Sequence, residues 1–326
     1  MKPSSSPTPR IPALLVALLA TALLAGCFSP ATKPGAEETD NRRGGGPQAG
    51  KARGAGGLEI AYTLYGEGDG TLVLVHGWGG NQLQWLGQVE DLAQRYTVVT
   101  VDLGGHGLSG RGRSGASLSQ LTTDLGAVLD QIGARQVILI GHSLGGLVAL
   151  ETARAKPEAV RGVIGVESFH YPPLEAAVWQ QLLSGLEADF PAACRSFVRG
   201  LFAVTTEEPL VDETAEEVCH LEPATGIALL RELAGFDLGR ALSTLPPGLP
   251  IRAIDASEAA EPRPDDDPPS VPAAEQERAL SAQLQRFHAD TRVHLVFRSG
   301  HYPMLEQSAE LTRQLAEALR DIEAKK

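Results

Sequence analysis

From residue 58 onward, short apolar runs alternate with stretches whose apolar positions recur every three or four residues. Residues 58–65, Leu-Glu-Ile-Ala-Tyr-Thr-Leu-Tyr, alternate in the way a half-buried strand does, and the turn at 66–70 closes it. Apolar runs at 71–75, 96–101, 137–140, 160–166, 251–256 and 292–297 predict further strands. Helical spacing at 117–132, 144–155, 276–287 and 306–322 predicts helices between and after them. Strands alternating with helices predict an α/β fold: a mostly parallel, doubly wound sheet covered on both faces. Residues 171–249 interrupt this alternation with a helix-rich insertion broken by Pro172-Pro173, Pro191, Pro223 and Pro246-Pro247.

The N-terminal region follows a different pattern. Lys2 and Arg10 precede an apolar run over 11–24, which is short for a bilayer span and reads as an export signal over 1–26. Leu24-Ala25-Gly26-Cys27 resembles the bacterial lipobox. That resemblance implies cleavage before Cys27, acylation of Cys27, and a lipid-anchored protein of the cell envelope, periplasm-facing or extracellular. An ordinary secretory signal and an uncleaved anchor are the alternatives. Residues 27–57, rich in Gly, Pro, Ala and charge, predict a flexible tether. The chain of 326 residues suits one or two domains, and its net charge of −12 argues against a nucleic-acid partner.

Candidate chemistry centres on Gly141-His142-Ser143-Leu144-Gly145, set between a predicted strand and a predicted helix. This matches the G-x-S-x-G nucleophile elbow, in which a sharp strand-to-helix turn projects the serine oxygen into open space. The helix that follows aims free N–H groups at charge developing during acyl transfer. With His76-Gly77-Trp78-Gly79 after one strand, the loop 102–110 after the next and Gly300-His301 near the end, the chain resembles the α/β-hydrolase superfamily in motif order. The resemblance covers residues 58–326 and is weakest over 172–250. It implies Ser143 as nucleophile, His301 as general base and then general acid, and the backbone N–H groups of Trp78 and Leu144 as the oxyanion hole. His76, His106 and His142 read as structural.

The acid is open. Most of the superfamily places it after the strand at 251–256, where this chain offers Asp255 and Glu258 but not the usual G-x-x-D. One strand earlier, Glu167 also satisfies the order Ser, acid, His, and residues 160–168 resemble the haloalkane dehalogenases whose acid lies there. Glu167 is the first choice, with Glu258 and Asp255 as alternatives. A serine at position 143, where dehalogenases and epoxide hydrolases of this fold carry an aspartate, argues against both those activities.

The resemblance further implies a core over 58–170 and 250–326 and a helical cap over 171–249 that selects substrate. Cys194 and Cys219 fall inside that cap. In an oxidising compartment they predict a disulfide, with two buried thiols as the alternative. His220 beside Cys219 and the acidic run Asp265 to Asp267 are weak metal signals, so neither a metal nor a cofactor is expected. The leading expectation is a serine hydrolase acting on a small-molecule acyl substrate: a small or medium ester, lactone or amide. A carbon–carbon bond hydrolase or cofactor-free peroxidase on the same triad is one alternative, and a non-catalytic binding or sensing protein is another. Sequence leaves the oligomeric state undefined.

Overall fold

The computed structural model describes residues 46–112, 116–169, 175–257 and 272–325. The proposed signal, Cys27, the tether up to residue 45, Glu258 and the acidic run 265–267 lie outside the described residues. Eight strands form one sheet: β1 (Gln48–Arg53), β2 (Glu59–Tyr65), β3 (Thr71–Val75), β4 (Thr97–Val101), β5 (Val137–His142), β6 (Val160–Val166), β7 (Ile251–Ser257) and β8 (Thr291–Phe297). Their order is β1-β2-β4-β3-β5-β6-β7-β8. β1 and β2 pair antiparallel, as do β2 and β4, and every later pairing is parallel. The central strands read Val, Ile and Leu almost throughout because both faces are covered, so alternation has no meaning there.

Helices follow the strands: α1 (Leu86–Leu92), which lies outside the spans that spacing predicts, and α2 (Leu118–Ile132) and α3 (Leu144–Ala155), which fall where spacing predicts them. The insertion after β6 adds α4 (Ala176–Ala188), α5 (Phe190–Arg199), α6 (Glu208–Val218), α7 (Pro223–Ala234) and α8 (Leu238–Ser243). After β7 come α9 (Ala273–Leu284), α10 (Pro303–Glu306) and α11 (Ser308–Glu323). α2 starts on a capping box in which Ser117 and Gln120 satisfy each other's backbone N–H groups, and it stops at Gly133, left-handed at φ 63°. α2 packs on α3 and α1 on α11, as two helical layers on a doubly wound sheet require. No helix among the described residues is long and apolar enough to cross a membrane.

One expectation needs correction. The flexible tether expected over 27–57 does not hold at its end: Gln48–Arg53 form the edge strand β1, in register with β2 from Gln48↔Leu64 to Arg53↔Glu59. Side-chain pattern gives little sign of it, because the pairing rests on backbone hydrogen bonds. Gly50 is a recess for the Tyr62 ring, whose nearest atom would lie 2.3 Å from an added Cβ. Lys51 pairs with Glu59 across the strands at 3.0 Å.

In the insertion, Pro191 and Pro223 stand at the first turns of α5 and α7, where a missing N–H costs nothing. Cys194 in α5 and Cys219 at the end of α6 are joined by a disulfide, with Cα atoms 5.8 Å apart. Closing a loop with a sequence separation of 25 removes unfolded-state entropy. The Cys194→Ala/Cys219→Ala double variant is therefore expected to lose about 3 kcal/mol of stability. Urea unfolding of wild type and variant, compared under oxidising conditions, checks this.

Candidate active site

Strand order reverses direction between β3 and β5: the chain runs outward from β3 to β4, then resumes on the other side. In open α/β sheets this switch point, at the carboxyl ends of the strands, is where sites assemble. The loop after β3 carries Trp78 and the turn after β5 carries Ser143.

Ser143 has φ 50° and ψ −119°, an unfavourable backbone for any side chain. Its N–H donates to Val166 O at 2.9 Å and its C=O accepts from Gly146 N at 3.0 Å. The flanking glycines are required by close passage of neighbouring chain. A Cβ on Gly141 would sit 2.3 Å from Gly145, and one on Gly145 would sit 2.5 Å from the carbonyl oxygens of Val75 and His76. Ser143 is half-buried while His142 and Leu144 on either side are buried, so the turn presents the serine outward. Leu144 opens α3, and an N–H at that position has no intrahelical acceptor.

His301 lies on the loop after β8, between Gly300 and Tyr302. Its Nδ1 is 3.1 Å from Glu167 Oε2. Glu167 follows β6 directly, also in a left-handed conformation at φ 51°. Its N–H donates to Ile254 O at 2.9 Å, and its Oε1 accepts from Ala256 N at 2.5 Å. The carboxylate thus holds one oxygen against β7 and the other against the imidazole. With Nδ1–H committed to Glu167, the tautomer leaves Nε2 as the basic nitrogen. Asp255 lies on β7 opposite Leu295, and the carboxylate at hydrogen-bond distance from His301 Nδ1 is that of Glu167. His142 sets the loop after β8 beside the serine turn. Its Nε2–H donates to His301 O at 2.7 Å, and the two rings lie 4.7 Å apart.

The Trp78 loop is held from below by buried polar groups. His76 Nδ1–H donates to Gly77 O at 2.7 Å, and its Nε2 accepts from Leu103 N at 3.0 Å. Burial pushes His76 down to about 4, and His106, 5.1 Å from it ring to ring, down to about 3. Both are neutral struts. Asp102 accepts from Gln82 N, Gln82 Nε2 and Leu108 N at 2.7, 3.0 and 2.8 Å, joining this loop to the one after β4. Burial raises the Asp102 carboxyl, and these hydrogen bonds oppose the rise. A Cβ on Gly77 would sit 3.2 Å from Ser143 Cβ, so the Gly77–Trp78 backbone runs against the serine. The Trp78 indole turns the other way: Nε1–H donates to Gly226 O of α7 at 2.9 Å, and the ring packs on Phe190 and Phe197 of α5.

The structure therefore brings Ser143, His301, Glu167, Trp78 and Leu144 to one end of the sheet. It puts Cys194 and Cys219 in the helices that touch Trp78 and its loop. His220 is exposed and turns its Nδ1–H onto Glu216 O at 2.7 Å; no group of three or more His, Cys, Asp or Glu among the described residues could hold a metal ion. Sequence reasoning missed Asp102 as a brace. An acidic residue opening a glycine-rich loop directly after a strand is the signal that marks it. It also missed the bonds from insertion to loop: Gly226 O to Trp78, and Glu217 Oε1 to Asn81 Nδ2 at 2.5 Å. Nothing in local spacing announces contacts 148 and 136 residues apart.

Strained serine turn, parallel sheet and switch-point placement define the α/β-hydrolase class, and the chain belongs to this family. A family model described as alpha/beta hydrolase fold matches residues 70–222. The pimeloyl-[acyl-carrier protein] methyl ester esterase of Klebsiella pneumoniae is 34% identical over 200 residues, 58% of this chain and 76% of that protein. The dihydrolipoyllysine-residue acetyltransferase component of the acetoin cleaving system from Pseudomonas putida is 36% identical over 198 residues, 60% of this chain and 51% of that one. Among solved structures, a bromoperoxidase from Bacillus anthracis superposes with a TM-score of 0.69 at 22% identity, covering 84% of this chain and 100% of the other. The chain spans between 29% and 51% of the length of the first curated relatives it matches.

The buried histidines carry a pH signature. Folding holds His76 below its unfolded value of 6.5, at about 4, so the unfolded chain takes up a proton first as pH falls. The stabilisation is complete above the unfolded value and is lost as pH falls towards the folded one. For one such group this amounts to about 2 kcal/mol between pH 7 and pH 5. His76→Gln is expected to be less stable at pH 7 but to lose about 2 kcal/mol less than wild type on acidification to pH 5. Urea midpoints at the two pH values check it; equal losses in both proteins would refute it.

Proposed function

We propose that this protein is a serine hydrolase that cleaves a small or medium ester, lactone or amide through an acyl-enzyme intermediate. The observation that carries the reading is the His301–Glu167 hydrogen bond beside Ser143 on its strained turn. In this mechanism His301 Nε2 takes the Ser143 hydroxyl proton while Oγ attacks the substrate carbonyl carbon. The N–H groups of Trp78 and Leu144 stabilise the resulting oxyanion, an interaction worth roughly 3–4 kcal/mol per donor. The carbonyl re-forms, the leaving group departs with the proton from His301, and a water activated by His301 then releases the acyl group. Glu167 holds the tautomer and stabilises the imidazolium. These steps use only side chains, backbone and water. The Klebsiella relative, named as a methyl ester esterase, supports an ester as the first substrate to try.

We also propose that Cys27 carries lipid and anchors the protein in the cell envelope. Leu24-Ala25-Gly26-Cys27 after a short apolar run supports this. An alkyne-tagged fatty acid supplied to producing bacterial cells is expected to label the wild type and not Cys27→Ser. Equal labelling of both would end the proposal.

The catalytic reading is tested with a fluorophosphonate probe and short nitrophenyl esters. Wild type is expected to label and turn over. Ser143→Ala is expected to lose labelling and at least roughly ten-thousand-fold in kcat, and Glu167→Gln roughly a thousand- to ten-thousand-fold. Labelling that persists in Ser143→Ala, or a Glu167→Gln variant with unchanged kcat, would overturn the corresponding assignment.

A further inference from the structure

The backbone amides of Gly300, His301 and Tyr302 are each engaged. Gly300 N donates to Glu306 Oε1 and Oε2 at 3.0 and 3.1 Å, and Tyr302 N donates to Oε1 at 3.1 Å. Between them, His301 N donates to Leu201 O at 2.7 Å, a carbonyl of the insertion. The same Glu306 carboxylate reaches into the insertion: Oε2 accepts from Ala203 N at 2.9 Å and from the Thr206 hydroxyl at 2.7 Å. One carboxylate therefore collects two amides that bracket His301 and two donors from the segment after α5.

The packing agrees with the hydrogen bonds. A Cβ on Gly300 would lie 2.4 Å from Leu201 O and 2.5 Å from Ala203 N, so loop and segment touch backbone to backbone. Tyr302 stacks on Phe202 with ring centroids 4.8 Å apart. Burial, with Glu217 and Glu306 nearby, pushes the Tyr302 phenol up, so the ring is neutral packing.

We propose that Glu306 is a positioning residue that locks insertion segment 201–206 to the His301 loop, so that seating of the cap and alignment of the base are one event. The proposal rests on His301 being the base, as set out above. The amide of glutamine cannot take all of these donors as the carboxylate does. A glutamine at 306 offers one carbonyl oxygen and turns an NH2 group towards N–H donors, leaving part of the set unpaired. Thr206 supplies the cap side of the clamp through a neutral hydroxyl, so removing it leaves the charge near His301 unchanged.

The test uses the full chain with Thr206→Val, Thr206→Ser, Glu306→Gln and the Thr206→Val/Glu306→Gln double variant. Rates on a short nitrophenyl ester are normalised to sites titrated by the fluorophosphonate probe. Thr206→Val is expected to lower kcat about tenfold with KM unchanged, and to move the acidic limb of the kcat/KM profile to lower pH as His301 loosens from Glu167. Thr206→Ser restores both. Glu306→Gln lowers kcat about a hundredfold, and the double variant loses less than the sum of the two single losses, because the amide at 306 keeps only part of the contact that the hydroxyl makes with the carboxylate. Wild-type kcat and pH limb in Thr206→Val, or losses that simply add in the double variant, would overturn the proposal. A second readout is independent of turnover: amide hydrogen exchange at 300–302 is expected to speed about tenfold in Thr206→Val. If wild type shows no Ser143-dependent turnover, the hydrolase reading fails, and exchange alone decides the clamp: unchanged rates sink it.

Discussion

Two residues that are not glycine, Ser143 and Glu167, sit in left-handed backbone conformations at the ends of the adjacent strands β5 and β6. Conformations of this kind cost of order 1–3 kcal/mol and persist only where the surroundings over-determine them. Here each strained residue is held by the same device. Ser143 N–H bonds to Val166 O of β6, and Glu167 N–H bonds to Ile254 O of β7. The amide of each turn is the last rung of a parallel ladder, so the sheet itself opposes relaxation of either turn. Strain that local sequence could not sustain is carried by three strands in register.

This constraint explains where Glu167 stands. The parallel registers place His142, Val166, Ile254 and His294 at one level across β5 to β8. A residue directly after β6 therefore emerges between the serine turn and the loop after β8. Its side chain has to bridge towards His301, and glutamate reaches with one oxygen while the other rests on Ala256 N. That backbone amide, directly after Asp255, serves as the second support of the Glu167 carboxylate. Glu167 and Asp255 thus stand on neighbouring strand ends, and because both come after Ser143 and before His301, the order of residues along the chain could not separate them.

What was legible in the sequence was local. Alternation marked β2, the apolar runs marked β3 to β8 because buried parallel strands leave little choice of side chain, and G-H-S-L-G marked the turn because only glycine survives a carbonyl at 2.5 Å. The β1 strand was illegible, since an edge strand of Gly, Ala, Lys and Arg is specified by its partner's backbone. The braces were illegible for another reason. His76 was readable as structural, but its partner Leu103 and the Asp102–Gln82 bonds depend on two loops meeting at the switch point. The Gly226–Trp78 and Glu306–Ala203 bonds join positions more than a hundred residues apart, and no periodicity encodes them.

Those long-range bonds alter the meaning of the insertion. Gly77 runs against Ser143 and the Trp78 indole turns to α5 and α7, while Asn81 reaches Glu217 at the end of α6. A Cβ on Gly79 would meet Val218, next to the disulfide at Cys219. The insertion thus grips the loop after β3 on one side and the loop after β8 on the other, through Leu201 O. Swinging it away as a rigid body would break a buried indole hydrogen bond, the Glu217–Asn81 contact and the His301 N–H to Leu201 O hydrogen bond together, each worth about 1 kcal/mol. It would also expose Phe190, Phe197 and Phe202 to water. An insertion bonded in this way forms a wall beside the half-buried Ser143, gripped from two loops at once.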